Sequence, residues 1–183
     1  EKQNLDKIFY IDSDVLLFVN ITEEWKHFDQ YILTLAHRSA GTNSFITLEG
    51  VTSFCNFLMD TYKNKNSYNY KKIASHYNIR REFGLPGGVC DMTFLEFFHY
   101  CADCGGGPGR VGEMMQIVNG STYDHNINTP DQGFSFKNGK KDFILKEGIP
   151  YIFNNTLNKE IKFNSLHFQG GAKNLIRSVY DRC

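Results

Sequence analysis

The sequence predicts an α/β domain, and three stretches predict it. Ile8-Phe9-Tyr10-Ile11-Asp12-Ser13-Asp14-Val15-Leu16-Leu17-Phe18 sets two strand-favouring apolar runs around a pair of carboxylates. Residues 47–62 repeat apolar side chains at helical spacing. From Gly105 onward, short apolar runs alternate with Asn-Gly turn signals at 119–120 and 138–139, the pattern of short strands and hairpins.

A chain of 183 residues suits one domain over residues 1–183 and can bury a substantial core. Its 20 basic and 20 acidic residues cancel, which argues against a nucleic-acid partner held by bulk charge but allows a local basic pocket for one diphosphate. No apolar run approaches membrane-spanning length, and the start does not resemble a signal peptide. The 5 cysteines are an odd number without framework spacing, which leans toward a cytoplasmic protein. Cys101-Ala-Asp-Cys104 has zinc-knuckle spacing but no second ligand pair, so a thiol pair at a helix end is the expectation. Sequons at Asn20, Asn119 and Asn154 carry little weight in an Asn-rich chain.

In the opening run, residues i and i+2 of an extended segment share a face, so Asp12 and Asp14 are expected to meet one ligand together. Two adjacent like charges are tolerable around a cation. The same three residues also make a good polar turn between strands. The flanking apolar runs favour a site, because ligands of open α/β sheets sit beyond the carboxyl ends of strands. A buried central strand ordinarily follows earlier βα units, so the chain is expected to be the C-terminal portion of a longer fold.

Asn20 to Gln30 reads as a loop or short helix, Tyr31 to Ala36 as a strand, and 37–44 as a polar segment suited to a hydroxylated ligand or simply to a loop. Thr47 caps the next helix, whose Val51, Phe54, Cys55, Leu58, Met59 and Tyr62 form a core stripe. A second helix is expected over Tyr70 to Phe83, with Arg80 and Arg81 solvated. A glycine turn then delivers Asp91 as N-cap of a helix over Met92 to Cys101, with contact to a sugar as a minor additional role. Strands are expected at Met114 to Val118, Phe134 to Phe136, Phe143 to Leu145 and Tyr151 to Phe153. His125, within Asp124-His125-Asn126, reads as a satisfied loop residue before it reads as a ligand.

A last strand, Phe163 to Phe168, runs into His167-Phe168-Gln169-Gly170-Gly171-Ala172-Lys173 and a terminal helix with Leu175, Ile176, Val179 and Tyr180 inward. Alone, this is a strand–turn–helix junction. Beside Asp12 and Asp14 it completes a metal–diphosphate site: His167 adds a neutral imidazole, a set that suits Mn²⁺ and less strictly Mg²⁺. Gly170 and Gly171 let backbone N–H groups approach phosphate, the following helix adds its positive end, and Lys173 adds a compact positive charge.

On Tyr10-Ile-Asp12-Ser-Asp14-Val15-Leu16 and His167-Phe-Gln-Gly170-Gly-Ala-Lys173, the sequence resembles the A-type (GT-A) nucleotide-sugar glycosyltransferases. The likeness is greatest to the retaining superfamily of glycogenin and the bacterial lipopolysaccharide galactosyltransferases. The resemblance implies a GT-A-like mixed sheet flanked by helices, a doubly wound domain left incomplete because the base-binding βα units have no counterpart before Glu1. It implies Mn²⁺ or Mg²⁺ on Asp12, Asp14 and His167, with Gly170 and Lys173 on the diphosphate of a UDP-sugar or similar donor. Asn43, Ser44 and Gly88 fall in segments that touch the donor sugar, and Asp91 is the implied catalytic carboxylate. The family's side-chain amide beside that Asp is Met92 here. The expected activity is sugar transfer, with retention, to a glycan, lipid or protein acceptor. The alternatives are a non-catalytic sugar- or diphosphate-binding remnant and a metal-dependent diphosphate hydrolase, which would need a water-activating base near the ligands.

Overall fold

The computed structural model describes residues 6–183, a mixed α/β fold. β1 (Lys7–Ile11) stops before Asp12, the chain turns through Ser13 and Asp14, and β2 (Val15–Leu17) follows. Asn20 starts α1 (Ile21–Glu24) by accepting the Thr22 backbone N–H at 3.0 Å, and a 3-10 turn over Trp25–His27 ends it. β3 (Leu33–Leu35) and β4 (Asn43–Thr47) precede three helices, α2 (Leu48–Lys63), α3 (Tyr68–Glu82) and α4 (Asp91–Tyr100). The remainder is strand-rich: β5 (Val111–Glu113), β6 (Ser121–Tyr123), β7 (Phe136–Lys137), β8 (Lys140–Lys141), β9 (Phe143–Lys146), β10 (Ile149–Asn154) and β11 (Lys159–His167). A 3-10 stretch over Gly170–Leu175 then leads into α5 (Ile176–Tyr180).

The strands form two main sheets. One has the order β1-β4-β3-β5 and the other β2-β11-β10-β9, with β6 also paired to β11. The pairs β3–β5 and β6–β11 are parallel, and the other pairs are antiparallel. Asn119-Gly120, Asn138-Gly139 and Glu147-Gly148 all adopt positive φ, from 51° to 78°, as two-residue hairpin turns require. The helices bury Phe57, Ile73, Phe94 and Phe98 against Leu33 and Leu35 of the first sheet. The second sheet and α5 enclose Ile152, Ile161, Phe163, Leu166 and Val179. Phe45 joins the N-terminal elements, its ring 4.7 to 4.8 Å from those of Phe9, Trp25 and Phe28.

Thr47 does more than cap α2. Its Oγ1 accepts from the Gly50 N–H at 3.0 Å and donates to the Ile32 carbonyl at 3.0 Å, docking the first helical turn onto the strand behind it. Only glycine fits at 50, because a Cβ there would lie 2.1 Å from the Ile32 oxygen.

The structure corrects several expectations. The opening run is two strands in two sheets, so Asp12 and Asp14 flank a turn instead of sharing one strand face. β1 is an exposed edge, not a buried strand: Ile8 and Tyr10 are 44% and 48% exposed, because β4 alone pairs with it among the described residues. On α2 the buried side is set by Gly50, Phe57 and Thr61, whereas Val51, Met59 and Tyr62 are exposed. Asp91 is the first residue of α4, and Cys90 holds the capping position. Arg80 is half-buried and donates to the Pro86 carbonyl, pinning the turn after α3 instead of pointing into solvent. The expected strand at Met114 to Val118 is displaced to β5, and Tyr180 of α5 is 62% exposed. Cys101 and Cys104 form a disulfide in place of a free thiol pair.

Candidate metal centre

The antiparallel pairing of β2 with β11 sets Val15 opposite His167 and so carries the imidazole to the turn that holds the carboxylates. The Phe168 N–H donates to the Asp14 carbonyl at 2.9 Å, and the Asp12 N–H donates to the Thr42 carbonyl at 2.8 Å. Asp14 is thereby tied to the second sheet and Asp12 to the first. One ligand atom from each of Asp12, Asp14 and His167 lies within 4.8 Å of the others. An octahedral ion with bonds of about 2.1 Å separates its ligands by roughly 3 Å when adjacent and about 4.2 Å when opposite, so small side-chain rotations close this set.

The state of His167 follows from its surroundings. Nδ1 faces the His125 carbonyl, which can only accept, so Nδ1 carries a proton. Nε2 lies 3.4 Å from Asp14 Oδ1, at a position where both side chains are largely buried. A proton on Nε2 would make this contact an ion pair; a cation in its place would meet two carboxylates and an imidazole, ligand types that suit Mn²⁺ or Mg²⁺.

The charges around this centre are arranged in a network. Lys173 Nζ lies 3.0 Å from Asp14 Oδ2. Burial pushes the Asp14 carboxyl up, but the Lys173 hydrogen bond and the charges of His167 and Lys173 outweigh it and leave it below its usual value. The Tyr10 hydroxyl donates to Asp12 Oδ1 at 2.5 Å; that bond first, then burial and the carboxylates of Asp12 and Asp91, raise the phenol above its usual value. Beneath His167, Asp124 accepts the His167 N–H at 3.1 Å and pairs with the buried Lys141 ammonium at 2.7 Å. Lys141 also reaches Asp131 at 3.1 Å, and Asp131 lies 3.0 Å from His125 Nδ1. Burial would raise Asp131, but the His125 hydrogen bond and Lys141 hold it low.

Of the site residues expected from sequence, Asp12, Asp14, His167 and Lys173 converge. Gly170 adopts φ of +57°, and open space lies where a side chain would project. The junction continues as a 3-10 stretch, so no α-helix N-terminus adds its dipole there, because α5 begins only at Ile176. Asn126 and Asn128 instead hold Gln169, at 2.5 and 2.7 Å, fixing the loop before Gly170. Asn43 is fully buried and spends its amide on the Asp124 carbonyl at 3.3 Å, so it orders the site from within instead of facing a sugar. Gly88 faces the Tyr77 ring and is not among the residues lining the cavity beside Asp12. Ser44 and Asp91 line a cavity beside Asp12.

Sequence reasoning gave no role to Tyr10 or Asp124, named only within longer runs, and missed Lys141 and Asp131. The first was legible as a phenol two residues before Asp12, since alternate residues of a strand share a face. The others meet only through tertiary folding. No family model, curated protein or solved structure matches the chain.

Proposed function

We propose that the chain holds Mn²⁺ or Mg²⁺ through Asp12, Asp14 and His167 and acts as a metal-dependent glycosyltransferase domain on a nucleoside-diphosphate sugar, a UDP-sugar by the motif resemblance. The observation that carries this reading is the convergence of two carboxylates and an imidazole, one ligand atom of each lying within 4.8 Å of the others. Bound there, the cation supplies charge neutralisation for the departing diphosphate. Lys173, more than half exposed and anchored on Asp14, brings a second positive charge to the same group. Gly170 offers backbone without a side chain to block approach, and Asp91 lines the adjoining cavity with Asp12. Sugar transfer is favoured over hydrolysis because the cavity that adjoins the carboxylates is lined mainly by apolar side chains, which disfavour water there.

Isothermal titration of the chain with MnCl₂ and UDP tests this reading. Saturable binding that falls at least tenfold in Asp14→Ala is expected, together with sugar release or transfer from a UDP-sugar. Equal binding in the variant overturns the metal site. Binding with no donor consumed overturns the enzyme reading in favour of a non-catalytic diphosphate-binding protein.

A further inference from the structure

A cavity of about 440 Å³ runs under α2 and α4 along the first sheet, within the size range of small-molecule sites. Alternate residues of β4 and its approach, Thr42, Ser44 and Ile46, line one side, as strand geometry dictates. Their order sets a gradient. At the Thr42–Ser44 end lie Asp12, Asp91 and two buried hydroxyls, Thr42 Oγ1 and Ser44 Oγ, that have no hydrogen-bond partner. Ser44 is 1% exposed, so its hydroxyl cannot be satisfied by bulk water. At the other end Leu33 pairs with Ile46, and Val51 and Phe54 add apolar wall; the charged residues lining the cavity are Asp12 and Asp91 alone. From Thr42 to Ile46 the strand spans about 13 Å, enough for an apolar body on the order of ten carbon atoms.

We infer that this cavity binds an alcohol with an apolar body, its hydroxyl at the Ser44–Asp91 end and its hydrocarbon toward Ile46, as the acceptor in the reaction proposed above; the inference rests on that reading for the word acceptor, not for the binding. The unpartnered hydroxyls supply hydrogen bonds to the alcohol, and the walls exclude water from its body. In the transfer, the alcohol oxygen bonds to the anomeric carbon. The bond from that carbon to the diphosphate breaks with its electron pair going to the diphosphate, and the hydroxyl proton passes to the Asp91 carboxylate.

The test uses the whole chain without metal. N-phenyl-1-naphthylamine reports cavity occupancy by fluorescence and is displaced with 1-hexanol, 1-octanol, 1-decanol, decane and 2-naphthol. One-to-one displacement is expected, tightening roughly three- to fourfold per added methylene along the alcohol series. Decane should bind at least tenfold more weakly than 1-decanol. Stronger displacement by decanol assigns an alkyl body and by 2-naphthol an aryl one, and either supports the site. Val51→Trp, at an exposed rim position, should weaken displacement at least tenfold with melting temperature and Mn²⁺ binding unchanged. Asp14→Ala should leave alcohol binding intact. No displacement by the folded chain, equal binding of decane and decanol, or no effect of Val51→Trp overturns the inference. Alcohol binding without Mn²⁺ binding leaves the cavity standing and overturns the metal reading alone.

Discussion

Lys141→Met is the sharpest probe of the platform beneath His167. The Lys141 side chain is 2% exposed and Asp124 is fully buried, with 2.7 Å between the charges. At an effective dielectric of about 20, that separation corresponds to roughly 6 kcal/mol of attraction, most of it spent on taking both charges out of water. Removing the ammonium strands a buried carboxylate, so a loss of about 3–5 kcal/mol is expected, read by urea denaturation with an unchanged m-value. Asp124→Asn alone should cost less, about 1–3 kcal/mol, because Lys141 keeps Asp131 at 3.1 Å and Asn keeps an acceptor for the His167 N–H. The double variant should therefore lie well below the sum, with a coupling energy of about 2 kcal/mol or more. A loss under about 1 kcal/mol for Lys141→Met, or additivity within about 0.5 kcal/mol, refutes the idea that these charges depend on each other.

Two further perturbations test the fold around the site. Burial, aided by the Arg38 charge at both residues and by His125 at His37, holds His37 and His99 below their usual value despite Glu113 between them. Since the unfolded chain binds protons first, stability should be full above about pH 6.5 and fall as pH drops below it; the double variant His37→Gln/His99→Gln should flatten that step in pH-dependent urea melts. A second fall should begin below pH 3.8, as the lowered carboxyls of Asp14 and Asp131 protonate. Gly50→Ala should cost about 2–3 kcal/mol, because its Cβ would meet backbone at 2.1 Å, whereas Gly109→Ala, with nothing nearby, should fall within about 0.5 kcal/mol of wild type. Equal melting temperatures for the two glycine variants would contradict the close approach of α2 to the strand before it.

What the sequence disclosed depended on how local the cause was. The convergence of Asp12, Asp14 and His167 was legible because their residue types and neighbours suggest one shared ligand without reference to the rest of the chain. Thr47 and the hairpin turns were legible for the same reason, since capping and positive φ are decided within a few residues. The exposure of β1 was not, because a strand's burial is set by what pairs with it and covers it, and Ile8, Tyr10 and Ile11 read identically in a core or at an edge. The buried side of α2 was misjudged by a fraction of a turn: Phe57 falls outside the chosen stripe, while Val51 and Phe54 face a cavity that no periodicity announces. Nothing in the sequence around Lys141 marks it as buried. Its partners lie 10 and 17 residues away, and no local pattern relates them.

The arrangement at His167 also bears on how the centre is assembled. The ring is oriented through Nδ1 by a backbone carbonyl, its backbone N–H is taken by Asp124, and Asp124 is fixed by Lys141. The carboxylates depend equally on main chain, Asp12 through Thr42 and Asp14 through Phe168. None of these constraints needs a ligand. A set of donors held this way loses little conformational freedom on binding, so affinity is not spent on ordering the site. Asp12 answers to one sheet and Asp14 with His167 to the other, which makes their spacing a property of how the sheets join. Changes far from the carboxylates that shift this junction are then as damaging to the proposed centre as the loss of a ligand.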